Sequence, residues 1–183
     1  MIRVIAGSRR SIPLKTLDGM ATRPTQDRIK ETLFNVIQME VPGSNFLDLY
    51  AGSGQIGIEA LSRGALSATL VDSKKQAIAI INENLEKTRF IDDAKVYCRE
   101  AIDFVRSYSG KIFDIIHMDP PYALGEERTC LSAIKEADIL NDNGLVIIEA
   151  VRENDIENHI PDGYDIEKVK IYKTNKHIFL RKA

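Results

Sequence analysis

The sequence predicts an α/β protein with a mostly parallel sheet of seven strands and helices on both faces of that sheet. Three observations support this prediction. Short apolar runs alternate with helical segments from residue 45 onward, a glycine turn follows the first run, and two prolines end the fourth run. Successive βα units of this kind build parallel sheets. The last two strands, at about 164–172 and 177–181, are predicted to form a hairpin, which requires one antiparallel strand.

The segment before residue 43 is predicted to be a small extension of this sheet. Residues 2–6 and 12–17 are expected to pair as a hairpin across a basic turn. A helix follows and runs through about residue 39, because Ile29, Leu33, Phe34 and Ile37 recur at helical spacing. The pair Pro42-Gly43 ends this unit. We therefore expect an extension over residues 1–42 and a Rossmann-like domain over residues 43–183.

The domain itself is predicted to alternate strands and helices in a regular order. The first four strands are expected at 46–50, 68–72, 95–98 and 112–118, and the fifth at 145–151 after the turn Asn143-Gly144. The helices between them are expected near 55–63, 74–88, 102–108 and 127–137. Each assignment follows an apolar run bounded by turn residues or an amphipathic period.

Composition indicates an ordinary globular protein. The chain has 183 residues, of which 44% are hydrophobic and 28% are charged, and this length is typical of one domain. No apolar stretch approaches the roughly 20 residues that span a bilayer, and the N-terminus lacks the apolar segment of a secretory signal. Cys98 and Cys130 have no metal-binding spacing. We expect a cytoplasmic protein with no metal site and no membrane partner.

The charge of the chain is unevenly distributed. Residues 1–30 contain seven basic and two acidic residues, a net charge of +5, whereas the whole chain carries −2. The remainder is therefore strongly acidic. A segregated basic segment is typical of an arm that contacts nucleic-acid phosphates. We expect RNA contacts from five arginines: Arg3, Arg9, Arg10, Arg23 and Arg28. An internal ion pair between Arg28 and Glu31 is a competing role.

The segment Asp119-Pro120-Pro121-Tyr122 indicates the chemistry. It directly follows an apolar strand, and two prolines make a rigid corner at the carboxyl end of that strand, where open α/β sheets bind ligands. The corner offers a carboxylate, backbone carbonyls and an aromatic face, which suit a planar ring with an exocyclic amine. The motif resembles the fourth motif of the amino-methyltransferases, so Asp119, Pro120, Pro121 and Tyr122 are the expected catalytic residues.

The glycine turn after the first strand indicates a nucleotide-containing cofactor. Gly52, Gly54 and Gly57 satisfy G-x-G-x-x-G, and Asp72 ends the second strand. This pattern also fits a nicotinamide dinucleotide, whose ribose the acid would bind. Asp48 favours S-adenosylmethionine instead, because a carboxylate there would repel a pyrophosphate and could hold an ammonium group.

The remaining cofactor contacts are expected from the turns around these acids. Tyr50, Ala51 and Ser73 flank the first two strand ends, and Glu100 with Ala101 follows the third strand, where an acid could bind the adenine amine. Asp103 is the alternative to Glu100, and a plain helix-terminal acid is the competing interpretation.

Taken together, these motifs resemble the RsmD family of bacterial 16S rRNA guanine-N2 methyltransferases over nearly the whole chain. The specific resemblance lies in Arg3–Arg10, in Thr22–Thr25 and in the helix around Leu33-Phe34-Asn35. It adds to Asp48–Gly54 and Asp119–Tyr122, which are shared by many amino-methyltransferases.

The resemblance implies a class I S-adenosylmethionine-dependent methyltransferase fold and methyl transfer to one guanine N2 of 16S rRNA. It also implies a partner in the small ribosomal subunit or an assembly intermediate, and we expect a monomer. Methylation of DNA adenine or protein glutamine stays open as an alternative. A nicotinamide enzyme or a non-catalytic nucleotide-binding module is the alternative from another class.

Overall fold

The computed structural model describes residues 2–17, 24–121 and 125–183. In the first helix, which begins at residue 24, the side chains are described from residue 27 onward. Tyr122 and Arg23, two of the expected site residues, lie outside these ranges. The seven strands form one sheet. They are β1 (Asn45–Leu49), β2 (Ser67–Asp72), β3 (Ala94–Cys98), β4 (Phe113–Met118), β5 (Leu140–Val151), β6 (Tyr164–Ile171) and β7 (Asn175–Lys182).

Within the described ranges, five α-helices accompany the sheet. They are α1 (Pro24–Val36), α2 (Gln55–Ser62), α3 (Lys75–Thr88), α4 (Ala101–Ser107) and α5 (Glu126–Ala137). Short 3-10 turns cover Ile91–Asp93 and Ile156–His159. Within the described parts of the chain, no helix has both the length and the apolar character that crossing a bilayer requires.

The strand order is β3-β2-β1-β4-β5-β7-β6. Neighbours are parallel from β3 through β5, whereas β7 runs antiparallel to both β5 and β6. The predicted sheet of seven strands with one antiparallel strand is therefore confirmed. The chain builds outward from β1 in one direction and from β4 in the other, so the topological switch point lies between these two strands. Open α/β sheets bind ligands at this point.

Alternate residues of the strands face two helical layers. On one face, Phe46 of β1 stacks with Phe34 of α1 at a ring-centroid distance of 6.4 Å. On the other face, Leu47 packs in a core with residues of α4 and α5. The period of two along a strand explains this division. Because α1 shares a buried core with the sheet, it is fixed relative to the strands. Whether residues 1–42 fold as a separate unit stays a prediction.

The N-terminal hairpin is short. Val4 N–H donates to the Ile12 carbonyl at 2.9 Å, Leu14 N–H donates to the Ile2 carbonyl at 2.8 Å, and Arg3 bridges Pro13 in antiparallel fashion. Proline cannot donate to a ladder, which limits the pairing at Pro13. The hairpin packs its apolar side chains against α2, α3 and β2.

The pair Asn143-Gly144 differs from its predicted role as a turn before the fifth strand. Strand β5 already begins at Leu140, and the pair lies inside it. The register against β4 shifts there, from Phe113 opposite Leu140 to Ile115 opposite Leu145, and Asn143 has φ 60°. The extra residues form a bulge, which keeps the strand continuous while absorbing the left-handed residue.

Candidate active site

The glycine turn joins β1 to α2 at the switch point. Gly52 and Gly54 have φ of 57° and 77°, which L side chains rarely adopt. A Cβ at Gly52 would meet nothing within 4 Å, so a ligand can approach the backbone there. A Cβ at Gly57 would lie 2.9 Å from Leu70 Cδ2, so this glycine allows α2 to pack closely on β2. The glycines thus allow a ligand to approach the backbone and allow the helix to pack closely on the sheet, as a nucleotide-binding turn requires.

Asp72 holds this turn from the end of β2. Its Oδ2 accepts the Gly52 N–H at 2.9 Å, and its Oδ1 accepts the Lys74 N–H at 2.9 Å. Two carboxylate oxygens offer about four acceptor sites, so both oxygens keep a lone pair for a further donor. The side chain is half-buried at the carboxyl edge of the sheet, next to exposed Ser73. Asp72 can therefore bind a hydroxyl pair while it fixes the loop.

Asp48 lies deeper, with 1% of its surface exposed. Its Oδ2 accepts the Gly57 N–H at 3.1 Å, and its Oδ1 lies 3.0 Å from Nδ1 of His117 on the neighbouring strand β4. The buried carboxylate therefore links the first turn of α2 to the strand that carries Asp119. Its expected contact with an ammonium group stays a prediction.

Tyr50 and Ala51 form the start of the turn. Tyr50 has φ 63°, an unusual conformation for a side chain of its size. Its hydroxyl donates to Glu126 Oε2 at 2.8 Å, and burial together with this carboxylate raises the pKa of Tyr50. The buried Ala51 donates its N–H to the Val71 carbonyl at 2.9 Å. The strained backbone is thus held by α5 on one side and β2 on the other.

The expected adenine-binding residues follow β3. Glu100 precedes α4 and is exposed, and its carboxylate forms no hydrogen bond that caps the helix. Both Glu100 and the alternative Asp103 are exposed, whereas Ala101 is buried. The thiol of exposed Cys98 lies 3.7 Å from the Ser73 carbonyl, so the ends of β2 and β3 are adjacent. Among the described residues, the Glu100 carboxylate has no helix-capping hydrogen bond, and it can accept a ligand amine.

The corner after β4 begins with Asp119. Pro120 is buried and Pro121 is exposed, so the corner reaches from the core to the surface within two residues. Burial and the negative charge of Glu149 raise the pKa of Asp119 to about 7. A carboxyl group with this pKa can change protonation state near neutral pH, as a proton acceptor in catalysis must.

The basic arm presents part of its charge to solvent. Arg3, Arg10 and Arg28 are exposed and line one cleft of about 430 Å³ with Asp27 and Glu31. Arg3 Nε lies 3.5 Å from Asp27 Oδ2. Among the described residues, no salt bridge joins Arg28 to Glu31. The competing internal pair is therefore not formed in this part of the chain.

Arg9 is held by contacts with the end of α3 and the residues that follow it. Its Nε donates to the Thr88 carbonyl at 2.7 Å, and its guanidinium lies 5.1 Å from the centroid of the Phe90 ring. These contacts fasten the hairpin to the end of α3. An RNA contact from Arg9 stays a prediction, and it would have to use the outer guanidinium nitrogens.

Sequence reasoning missed Glu59, which anchors the arm. This buried side chain accepts the Ile5 N–H at 2.8 Å through Oε2 and the Ala6 N–H at 3.0 Å through Oε1. Arg63 donates to Oε1 at 2.8 Å, and the buried ammonium of Lys30 lies 3.8 Å from Oε2. An acid within the mostly apolar helix α2 was the available signal.

The arm also fits closely against the end of α2. Ser8 N–H donates to the Ser62 carbonyl at 2.8 Å, and the Ser62 hydroxyl donates to the Ala6 carbonyl at 2.6 Å. A Cβ at Gly7 would lie only 1.8 Å from the Ser62 carbonyl oxygen, and Gly7 has φ 83°. Only glycine permits this approach.

Comparison with known proteins agrees with this geometry. Residues 2–181 match the model of the family described as "Conserved hypothetical protein 95". "Ribosomal RNA small subunit methyltransferase D" of Escherichia coli K12 is 31% identical over 170 residues, which are 93% of this chain and 84% of that protein. The Haemophilus influenzae protein of the same name is 33% identical over 154 residues, covering 83% and 80%.

A solved structure gives the same result for the fold. The structure described as "Putative methyltransferase yhhF from Escherichia coli" superposes with a TM-score of 0.86 at 28% identity, covering 99% of this chain and 97% of that one. The match includes the N-terminal arm as well as the sheet, since it spans nearly both chains. The chain therefore belongs to the RsmD family and has its class I methyltransferase fold.

Proposed function

We propose that this chain is an S-adenosylmethionine-dependent methyltransferase that methylates the exocyclic N2 of a guanine in 16S rRNA. The observation that carries the proposal is the position of Asp119. It follows β4 directly at the switch point, beside the glycine turn and Asp48 of β1. A proton-accepting carboxylate thus lies next to the expected cofactor turn. The guanine N2 position rests on family membership.

The described residues fit this cofactor. Gly52 leaves open space at the turn, half-buried Asp72 has acceptor capacity for a ribose diol, and the exposed carboxylate of Glu100 can accept an adenine amine. When bound, the cofactor supplies an electrophilic methyl group on a sulfonium. Asp72 and Glu100, at the ends of β2 and β3, would hold the nucleoside, while Asp48 fixes the turn beneath it.

The same contacts argue against a nicotinamide dinucleotide. A pyrophosphate binds the free N–H groups of the first helical turn. In this chain the Gly57 N–H, in the first turn of α2, already donates to Asp48 Oδ2 at 3.1 Å. The buried carboxylate also places a negative charge where a pyrophosphate would carry its own. Asp48 therefore favours a cofactor without phosphate groups.

The corner suits an amine on a planar ring. Asp119 and the Pro120 carbonyl can accept the two N–H bonds of an exocyclic amine, which leaves the nitrogen lone pair directed at the methyl group. Positive charge that develops on this nitrogen is stabilised by the Asp119 carboxylate. Asp119 then takes the proton that the methylated amine loses. Alignment of the two bound reactants supplies much of the remaining acceleration. Stacking of the base on Tyr122 stays a prediction.

The basic arm supplies the contact with RNA. The exposed guanidiniums of Arg3, Arg10 and Arg28 lie around one cleft and can neutralise backbone phosphates. Arg23 and Arg9 complete the proposed set. We propose a monomer that acts in the cytoplasm on 16S rRNA within the small subunit or one of its assembly intermediates.

A methyl-transfer assay on three substrates tests the proposal. Full-length protein and S-adenosylmethionine are incubated with naked 16S rRNA, assembled small subunits and duplex DNA, and the digested nucleosides are identified by mass spectrometry. We expect N2-methylguanosine from one of the rRNA substrates and no methylated adenine from DNA. Calorimetry with S-adenosylhomocysteine and with NAD should show binding of the first compound alone. Methyladenine from DNA, or binding of NAD in place of S-adenosylhomocysteine, would contradict the proposal.

A further inference from the structure

Three potential metal ligands come together on neighbouring strands, next to the corner that carries Asp119. Glu149 of β5 and His177 of β7 are direct partners in the sheet. His117 of β4 is the partner of Ile147, which lies on the same face of β5 as Glu149. One ligand atom from each of His117, Glu149 and His177 lies within 4.8 Å of the other two.

Each of the three side chains is oriented by a second residue. His117 Nδ1 lies 3.0 Å from Asp48 Oδ1, and His177 Nδ1 lies 3.1 Å from the Tyr172 hydroxyl. Asn175 donates its side-chain N–H to Glu149 Oε1. These partners leave Nε2 of both imidazoles and Oε2 of Glu149 as the atoms available to an ion. Metal-binding histidines in proteins are oriented by such hydrogen bonds on their second nitrogen.

His117 Nε2 is the atom that the protein leaves unsatisfied. His117 is 2% exposed, and its Nε2 has no hydrogen-bond partner among the residues described by the structure. Glu149 Oε2 already lies 3.2 Å from His177 Nε2. A buried polar nitrogen without a partner is costly. A cation between the three residues would bind this nitrogen together with Nε2 of His177 and Oε2 of Glu149.

We propose that His117, Glu149 and His177 bind one divalent transition-metal ion of the zinc class. Two imidazole nitrogens and one carboxylate are a ligand set that Zn²⁺ uses with a water molecule as the fourth ligand. Mg²⁺ and Ca²⁺ prefer oxygen ligands, so the two imidazoles disfavour them. The side chain of Glu149 keeps 19% of its surface exposed, which provides a route for the ion from solvent. The site would tie β4, β5 and β7 together immediately before the corner.

The proposed site runs against the expectation from the sequence that the chain has no metal site. Its ligands lie on three strands and are separated by about 30 residues, so no local spacing reveals them. Binding of an ion by these three side chains does not depend on methyl transfer. A failure of the metal test would therefore leave the proposed function untouched, and the reverse also holds.

Metal titration of the tag-free, full-length protein tests the proposal. The protein is treated with a chelator, titrated with Co²⁺ while its visible spectrum is recorded, and then competed with Zn²⁺. We expect one ion per chain and the visible bands of four- or five-coordinate Co²⁺. His159→Gln is a matched control, because His159 is the remaining histidine of the chain and lies at the surface beside Asp155. A Cys98→Ser variant excludes binding by the exposed thiol.

Two variants test the site, one at the ligand His177 and one at Tyr172, which orients it. His177→Gln should weaken binding at least 100-fold. Tyr172→Phe keeps the ring and removes only the hydroxyl that orients His177, so it should fold normally and weaken binding by about 10-fold to 100-fold. The absence of binding by the wild-type chain would overturn the proposal. Equal affinity of the wild type and both variants would overturn it as well.

Discussion

The Glu59 carboxylate accepts the backbone N–H of Ile5 at 2.8 Å and so joins the N-terminal arm to the helix that follows the glycine turn. The same carboxylate contacts Arg63 and lies near the buried ammonium of Lys30. Burial lowers the pKa of Lys30, so its charge depends on this neighbour. The anchoring of the arm and the charge balance beneath it therefore rest on one side chain.

The Glu59→Gln variant should lose stability and loosen the arm. Removing one partner of a buried ion pair costs about 3–5 kcal/mol, because the opposite charges stay buried. We expect a lower urea midpoint and faster hydrogen exchange at the Ile5 and Ala6 amides. Glu83→Gln is the control, since the pair of Glu83 with Lys15 is exposed and contributes less than about 1 kcal/mol. Equal urea midpoints for the two variants would contradict the anchoring role.

The Asp119→Asn variant should lose methyl transfer while it keeps cofactor binding. The amide has nearly the same shape, but it cannot accept a proton and it directs an N–H group at the amine. Loss of a positioned proton acceptor costs about 100-fold to 10,000-fold in rate. Single-turnover rates and calorimetry with S-adenosylhomocysteine measure the two properties separately. Asp165→Asn, on the exposed edge strand β6, serves as the control. An unchanged single-turnover rate would exclude Asp119 from the reaction.

The Asp72→Asn variant should weaken cofactor binding. Asp72 accepts two backbone N–H groups, and an amide can accept only one of them before its own N–H group opposes the other. Hydrogen bonds to a charged group contribute about 1.5–3 kcal/mol, which corresponds to roughly 10-fold to 100-fold in affinity. Calorimetry with S-adenosylhomocysteine checks the change, and exposed Asp93→Asn is the control. If the two variants bind equally well, Asp72 does not hold the cofactor turn.

The Arg10→Glu and Arg28→Glu variants should weaken RNA binding and flatten its salt dependence. Each phosphate contact contributes to the slope of log affinity against log salt, by about 0.7 for single-stranded RNA. We expect each variant to bind RNA more weakly and to reduce this slope by about 0.7, the contribution of one phosphate contact. Arg152→Glu introduces the same charge change at an exposed residue beyond β5 and should leave the slope unaltered. A uniform effect of all three variants would indicate net charge rather than a specific arm.

Sequence reasoning located the parts of the site that are encoded by local pattern. An apolar run followed by glycines or prolines marks the ends of β1 and β4, so Asp48, Gly52 and Asp119 were placed at the correct strand ends. The alternation of strands and helices along the chain also followed from local pattern, whereas the order of the strands within the sheet was not predicted. These features depend on neighbouring residues, which is why they could be read from the chain alone.

The contacts that join distant segments could not be predicted in this way. Glu59 meets Ile5 across 54 residues, and His117 meets Asp48 across 69. These pairs depend on strand register and helix placement, which only the folded chain fixes. Asn143-Gly144 shows the opposite case, in which a strong local turn signal is overridden because pairing with β4 continues past it.

Helix α2 is short, and its two ends contact different parts of the site. It has eight residues, so it is about 12 Å long. Its first turn adjoins the glycine turn, and its last turn holds Gly7 against the Ser62 carbonyl. An arm taken from a relative would therefore need the matching α2 to seat correctly. A chimaera of two family members should fold stably when the arm and this helix are transplanted together, and lose stability when the arm is moved alone.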